Sequence, residues 1–359
     1  MKRAIEKCWR DSASLIVLAK RNLDALPRNS ADGCNYDILL QTRTHNASFS
    51  NSVVFPGGVS EEADADDHWL PLFTSFGYTQ RDFEALHRPD APTNLIFENN
   101  PVRRHVALRI CAIRETFEEL GLLICSSDHK NNKAAAWSTV RTDIDTSYWQ
   151  SKISENPSEL LNLCKAYNCY PDIWSLHYWS NWLSPASLPK RFDTAFFVTA
   201  VENKITDINS NSEVVKVEWA SPIDILDRNS KGELQLPPPQ GYELNRFSHF
   251  LDIEKLVNFA RNITNQGNEL LFPVPIQTKD GWVYLLPGDH QYPTNVDYNG
   301  KIIRKDKTII ELRDTTKALH RFEAIGSKRY LVTHNFQPRN HINMGNQIKE
   351  VNIKFSNKN

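Results

Sequence analysis

Neither sign of charge is in excess in this sequence: 42 Lys and Arg stand against 43 Asp and Glu over 359 residues, a formal net charge of −1. That balance excludes a broadly basic surface of the kind that condenses on nucleic acid or anionic lipid, and leaves room only for local basic pockets. Long apolar runs are missing as well. The longest, such as Ser14 to Ala19, fall far short of the roughly 20 residues a spanning helix needs, so no membrane passage is expected. The six cysteines (Cys8, Cys34, Cys111, Cys125, Cys164 and Cys169) contain no Cys-x-x-Cys pair, and the eleven histidines are scattered. Neither zinc spacing nor a disulfide framework is visible, which leaves free thiols in a reducing compartment as the reading. There is no internal repeat and no low-complexity tract.

What is present is ordinary globular composition, 40% hydrophobic and 24% charged, with 17 Phe and 9 Trp against only 2 Met. A core built on rigid aromatics follows, in one large domain or two modest ones. The residues from Met1 to Lys7 are basic, but a strand-like run starts between Ser12 and Ser14, which leaves little room for a leader peptide. The C-terminal Asn357-Lys358-Asn359 is not the Ser-Lys-Leu type that peroxisomal import reads.

Along the chain, Ser14 to Ala19 and Tyr36 to Arg43 read as strands separated by a polar turn, and Val53 to Gly58 as a short strand stopped by Pro56 and a glycine pair. From Val59 to about Pro101 the chain reads as loop-like, acidic first and then rich in Pro and aromatics. Val106, Ile110, Ile113, Phe117 and Leu120 then make a continuous helical stripe that Gly121 is placed to end. A helical region near Ser147 to Ala166, strands over Arg191 to Val201 and Glu213 to Trp219, a helix from Ser221-Pro222 to about Arg228 and another from Pro237 to about Ile263 follow. The remainder reads as a smaller β-rich extension with a turn at Asp280-Gly281.

The chemistry sits in Arg114 to Leu122. On the helix just drawn, Glu115, Glu118 and Glu119 fall at i, i+3 and i+4 and project from one face. Like charges at those spacings repel, and they lie at the helix C-terminus, where the dipole disfavours acids. A hard divalent cation reverses both penalties, because it prefers clustered oxygen ligands. Solvated Glu-Glu faces are common, so the acids alone do not decide the matter. Arg114 before them, Gly121 after them and Phe55-Pro56-Gly57-Gly58 upstream do more.

Those residues resemble the Nudix hydrolases, whose box runs Gly-x5-Glu-x7-Arg-Glu-U-x-Glu-Glu-x-Gly-U, with U apolar. Arg114 to Leu122 match its second half, with Thr116 at the first U, and Gly58 matches its opening Gly. Arg114 lies 56 residues after Gly58 instead of the usual fourteen, so the box is split by an insertion of about 42 residues. Val106 occupies the position of the first box Glu, eight before the Arg; Asp64, at Gly58 plus six, is a candidate substitute. A split box, with Phe55 to Val59, Leu108 to Leu122, Pro171 to Leu176, Arg191 to Phe197, Trp219 to Pro222 and Leu285 to Asp289, is similar to the acyl-coenzyme A diphosphatase branch.

The resemblance implies an α/β fold, a Nudix α/β/α sandwich with mixed sheet over residues 10–263, the insertion at about 59–101, and a C-terminal β-rich extension over 264–359 packed on it. It implies Mg²⁺ or Mn²⁺ held by Glu115, Glu118 and Glu119, with Arg114 fixing Glu115 and Glu115 or Glu213 as general base; Glu213 reads equally as a strand-end surface acid. The small-molecule substrates implied are coenzyme A and its acyl esters, cut to 3′,5′-ADP and (acyl-)4′-phosphopantetheine. ADP-ribose, NADH or capped RNA remain as alternative substrates, and an inactive nucleotide-binding Nudix protein as an alternative function. Leu39, Leu40 and Arg43 fit the start of a coenzyme A signature whose later Arg and Gly are absent. Arg43, Gly57, Gly58 and Arg104 are the candidate substrate contacts; for Arg103-Arg104-His105, solvation of a helix start is the competing reading. Trp174, Trp179 and Trp182 are expected to pack in the core rather than cover a substrate arm, and His177 to pack beside them. Peroxisome or mitochondrion is implied by the family, cytoplasm otherwise. No nucleic-acid partner is expected.

Overall fold

The computed structural model describes residues 7–21, 32–44, 51–130, 137–300 and 302–353. The basic residues before Lys7, the turn residues 22–31 and Asn357-Lys358-Asn359 lie outside the described residues. The chain opens with β1 (Arg10–Lys20), β2 (Tyr36–Arg43), β3 (Val53–Val54) and β4 (Gly57–Val59), then the short helices α1 (Trp69–Ser75) and α2 (Gln80–Glu84) and the long α3 (Pro101–Leu120). Next come β5 (Leu123–Ser126), β6 (Val140–Arg141), α4 (Thr146–Glu155), α5 (Glu159–Ala166) and β7 (Tyr170–Pro171), with β5 to β7 forming a small sheet of their own. Then follow β8 (His177–Leu183), β9 (Phe192–Val201), β10 (Val214–Ala220), α6 (Pro222–Ser230), α7 (Pro238–Phe247), α8 (Ile253–Ile263) and β11 (Leu270–Leu271).

The main sheet runs β10-β2-β1-β9-β8-β11, with β3 on β2 and β4 on β1. It is mixed: β1 is parallel to β9 and antiparallel to β2 and β4. The apolar run in β1 carries no alternation because both faces are covered. Ala13, Leu15, Val17 and Ala19 pack with Leu108, Ile110, Ile113 and Phe117 of α3. Ile16 and Leu18, pointing the other way, pack with Tyr242 and Phe247 of α7 and Leu256 and Ala260 of α8. Two helical layers around one mixed sheet make the α/β/α sandwich.

The C-terminal region forms a second sheet of six strands, β12 (Val274–Gln277), β13 (Gly281–Leu285), β14 (Ile303–Arg304), β15 (Leu319–Ile325), β16 (Lys328–His334) and β17 (Gln347–Glu350), in the order β14-β12-β13-β15-β16-β17. Its Leu286, Phe322, Leu331, Val351 and Ile353 join the apolar cluster that contains Ile16 and Tyr242. Leu270–Leu271, past residue 263, still pair in parallel with β8 of the first sheet. Among the described residues no helix is long and apolar enough to cross a membrane.

Two sequence expectations need correction, and one segment gains a strand. Residues 59–101 are not an irregular loop: they hold a 3₁₀ turn at Glu62–Ala65, α1, α2 and a second 3₁₀ turn at Leu95–Phe97. Trp69, Phe73, Phe83, Ile96 and Phe97 there are buried in the α3-side core. Tyr78 stacks on Trp174 with centroids 3.4 Å apart, and Phe73 meets the same indole edge-on at 5.1 Å. The stretch from Pro237 to Ile263 is two helices, because Asp252 caps the second by accepting from the Lys255 amide. The Trp-rich segment contains a strand, β8, buried along its whole length. Trp179 and Trp182 pack in the core, as expected, and their indole N–H groups donate to the buried Glu243 at 2.7 and 2.8 Å. His177 is buried too; desolvation pulls its imidazole down to about 3, so it is a neutral packing residue.

Candidate active site

Helix α3 starts where Asn100 accepts the Arg103 amide with Pro101 behind it, and stops at Gly121, whose φ of 71° belongs to the left-handed region. These ends set the register that brings its last turn against β4. At Gly58 an added Cβ would overlap the Glu115 carboxylate, and at Gly57 (φ 149°) it would run into the Ala13 carbonyl. At Gly57 the obstruction is the β1 backbone, so only glycine fits; at Gly58 a side chain would displace the Glu115 carboxylate. The Gly57 N–H, left free of any side chain, donates to Glu119 at 2.9 Å. Glu119 also accepts from Gln41 at 2.8 Å.

Arg114 is buried and fully committed. Its Nε and Nη2 form a two-point pair with Asp64 at 2.8 and 3.0 Å, Nη2 also donates to the Val59 carbonyl, and Nη1 donates to Glu115 at 2.9 Å and Glu118 at 2.7 Å. Asp64, 1% exposed, comes from the 3₁₀ turn of the insertion. It therefore takes up the guanidinium that the missing box Glu leaves without a partner, while Val106 packs into the core. Thr116, at an apolar box position, is accommodated because its hydroxyl donates back to the Ala112 carbonyl at 2.7 Å.

The carboxylates outnumber the cation they share. Burial pushes Glu115 up to about 8; Arg114 opposes this, and Glu119 and Glu118 add to it. Burial also raises Glu118, and pushes Glu119 up to about 7 against the pull of Arg43, the Gly57 amide and Gln41. Among the described residues no three His, Cys, Asp or Glu side chains converge into a ready-made metal cage. Glu115 and Glu118 turn to Arg114, and Glu119 turns to Gly57 and Gln41. The donor set nonetheless fits a hard divalent cation: Glu119 is buried and Glu115 and Glu118 are partly buried on one helical turn, each disfavoured as an anion until positive charge arrives.

Acids with folded values above their ordinary 4.5 bind protons more tightly in the folded state, so stability falls as pH rises from about 4.5 through about 8. In chelator, the melting temperature is expected to drop between pH 5 and roughly pH 8. Adding Mg²⁺ or Mn²⁺ should restore it, and more at the upper pH than at the lower. Thermal melts at the two pH values check this; a cation effect that is absent or larger at low pH contradicts it.

Arg43, Gly57 and Gly58 line a cavity of about 230 Å³ whose other walls are mostly apolar, among them Phe55, Trp182, Phe192 and Phe196. The two glycines touch both the cavity and the carboxylates. Glu213, 61% exposed, lies 3.7 Å from Arg43, so the structure brings both to the edge of the same site. Arg104 does not line the cavity: its guanidinium is taken by Asp11 at 2.7 Å and the Ile96 carbonyl at 2.9 Å. Solvation of the helix start does not describe it either: the half-buried guanidinium ties the first turn of α3 to β1. Gln41 was missed from sequence; its one signal is that it shares a strand face with Arg43, two residues on.

A family model for the NUDT19 Nudix domain matches residues 9–247. The chain belongs to that Nudix hydrolase family. A second model, the NUDT19 C-terminal domain, matches residues 276–335. The acyl-coenzyme A diphosphatase NUDT19 of Xenopus laevis is 33% identical, covering 94% of this chain and 96% of its own length. The protein of the same name from Homo sapiens is 31% identical over 92% of this chain and 93% of its own. Among solved structures, a NUDIX hydrolase from Alicyclobacillus acidocaldarius aligns at a TM-score of 0.49 and 21% identity, over 70% of this chain and 97% of that one. Nudix hydrolases work with divalent metal ions.

Proposed function

We propose that this Nudix hydrolase cleaves the diphosphate of coenzyme A and acyl-coenzyme A, releasing 3′,5′-ADP and (acyl-)4′-phosphopantetheine. The relatives that share its length carry the name acyl-coenzyme A diphosphatase. The observation that carries the reading is the contact of Glu115 with Gly58 and of Glu119 with the Gly57 amide, two glycines that also line the cavity shared with Arg43.

Glu115, Glu118 and Glu119 would hold Mg²⁺ or Mn²⁺, which when bound neutralises diphosphate charge and acidifies an attacking water. Arg114 positions Glu115 and Glu118 and is itself positioned by Asp64, in the manner of supports around a metal site. Arg43 meets a phosphate with its guanidinium; its buried Nε has no partner among the described residues. Gly57 and Gly58 let the diphosphate approach the backbone closely. Two carboxylates are candidates to accept the proton of the attacking water, Glu115 and the exposed Glu213 beside Arg43.

Replacing Glu213 with Gln separates them. If Glu213 is the base, turnover is expected to fall by about 10²- to 10⁴-fold with unchanged melting temperature; a near wild-type rate assigns the step to Glu115. The function itself is tested by product analysis of coenzyme A, NADH and ADP-ribose with each metal. Release of 3′,5′-ADP from coenzyme A supports the reading. Preferential cleavage of NADH or ADP-ribose, or tight binding without turnover, contradicts it.

A further inference from the structure

Among the described residues that line the cavity beside Gly57-Gly58, Arg43 is the one charged side chain. Ser and Thr hydroxyls add to the polar part, and the larger part is apolar: Phe55, Trp182, Leu188, Phe192, Phe196 and the Pro237–Pro239 run. That run begins α7, with Pro237 at the cap and Pro238 and Pro239 in the first turn. A helix start usually presents free amides that attract phosphate; proline has no N–H, so the cap and first two helical positions here offer none. The cationic attraction for a phosphate therefore comes from Arg43. The one polar side chain that α7 adds to the cavity wall is Gln240, nine-tenths buried, whose Oε1 has no hydrogen-bond partner among the described residues. A buried amide oxygen without a donor is unfavourable, a deficit that a ligand N–H removes.

Size narrows the ligand. At about 230 Å³ the cavity is smaller than the roughly 300–1,000 Å³ that enclose whole ligands, and larger than the roughly 150 Å³ that takes benzene. It fits an arm of a ligand. We propose that this cavity is the subsite for the amide-bearing pantetheine arm and the start of its acyl chain, with Gln240 accepting an amide N–H and Leu188 limiting chain length. Leu188 sits half-buried in the connection between β8 and β9, where a side chain of different size changes the cavity without entering the core. The inference rests on the acyl-coenzyme A reading and deepens it.

The test measures kcat/KM for free coenzyme A and for short, medium and long straight-chain acyl esters in wild type, Leu188→Trp, Leu188→Ala and Gln240→Leu, with melting temperatures alongside. Leu188→Trp is expected to lower the medium-chain to free coenzyme A ratio about tenfold, the scale of a methylene-sized change in an apolar pocket, and Leu188→Ala to move the optimum to longer chains. Gln240→Leu is expected to raise KM for all of these substrates about threefold to tenfold at unchanged kcat, the loss of one hydrogen bond. If wild type cleaves the esters while both Leu188 variants keep the wild-type chain profile and Gln240→Leu keeps its KM, the subsite is wrong. If wild type cleaves no coenzyme A ester, the functional reading fails and takes the subsite with it.

Discussion

Glu118→Gln is expected to reduce diphosphate hydrolysis by about 10³-fold while leaving the melting temperature close to wild type. The metal contributes several kcal/mol of charge stabilisation, and each 1.36 kcal/mol is about tenfold in rate. The substitution keeps the shape of the side chain, and its amide oxygen still accepts from Arg114, so the buried guanidinium is not stranded. It also removes one of the charges whose burial is unfavourable in the metal-free protein. The combination is diagnostic: a structural role for Glu118 predicts lost stability with little change in rate, a ligand role the reverse. Steady-state rates at saturating Mn²⁺ together with a melt in chelator distinguish them. Near wild-type turnover would remove Glu118 from the metal site.

The second large effect concerns the insertion. Asp64→Ala is expected to destabilise the protein by about 3–5 kcal/mol, the range for removing one partner of a buried ion pair. Arg114 would lose its two-point partner and be left with Glu115 and Glu118, drawn away from cation binding. Turnover should fall about 10- to 100-fold, as for supports around a metal ligand. Asp64→Glu keeps the charge, whereas Asp64→Asn keeps the shape without it. Denaturant unfolding and rates for all three establish whether the insertion completes the catalytic box. Unchanged stability in Asp64→Ala would show that the pair with Arg114 contributes nothing.

How much of this was legible depended on whether the signal was local. Helix α3 was, because twenty residues give a periodic stripe five members long, and Asn100, Pro101 and Gly121 mark its ends. The acidic turn was legible for the same reason: spacing on a helix is spacing on a face. Helices α1 and α2, of seven and five residues, are too short for periodicity to show, and their aromatic residues pack against Tyr170 and Trp174, about a hundred positions away in sequence. Strand β8 hid for the opposite reason. Burial on both faces erases alternation, leaving a run of aromatics that reads as packing without direction. Arg104 misled because its neighbours in sequence are basic, whereas its partner in space, Asp11, belongs to β1.

The residue types and spacings along single elements by themselves determined the strands that build the sheet, the helix that carries Glu115, Glu118 and Glu119, and the glycine pair that must meet it. Only the tertiary structure decided that Asp64 answers Arg114, that Glu213 stands beside Arg43, and that Gln240 faces the same cavity as Gly58. Each of those pairings joins residues from different elements. A charge or an unpartnered amide finds its counterpart only after the apolar faces of β1 and α3 have chosen how the layers stack.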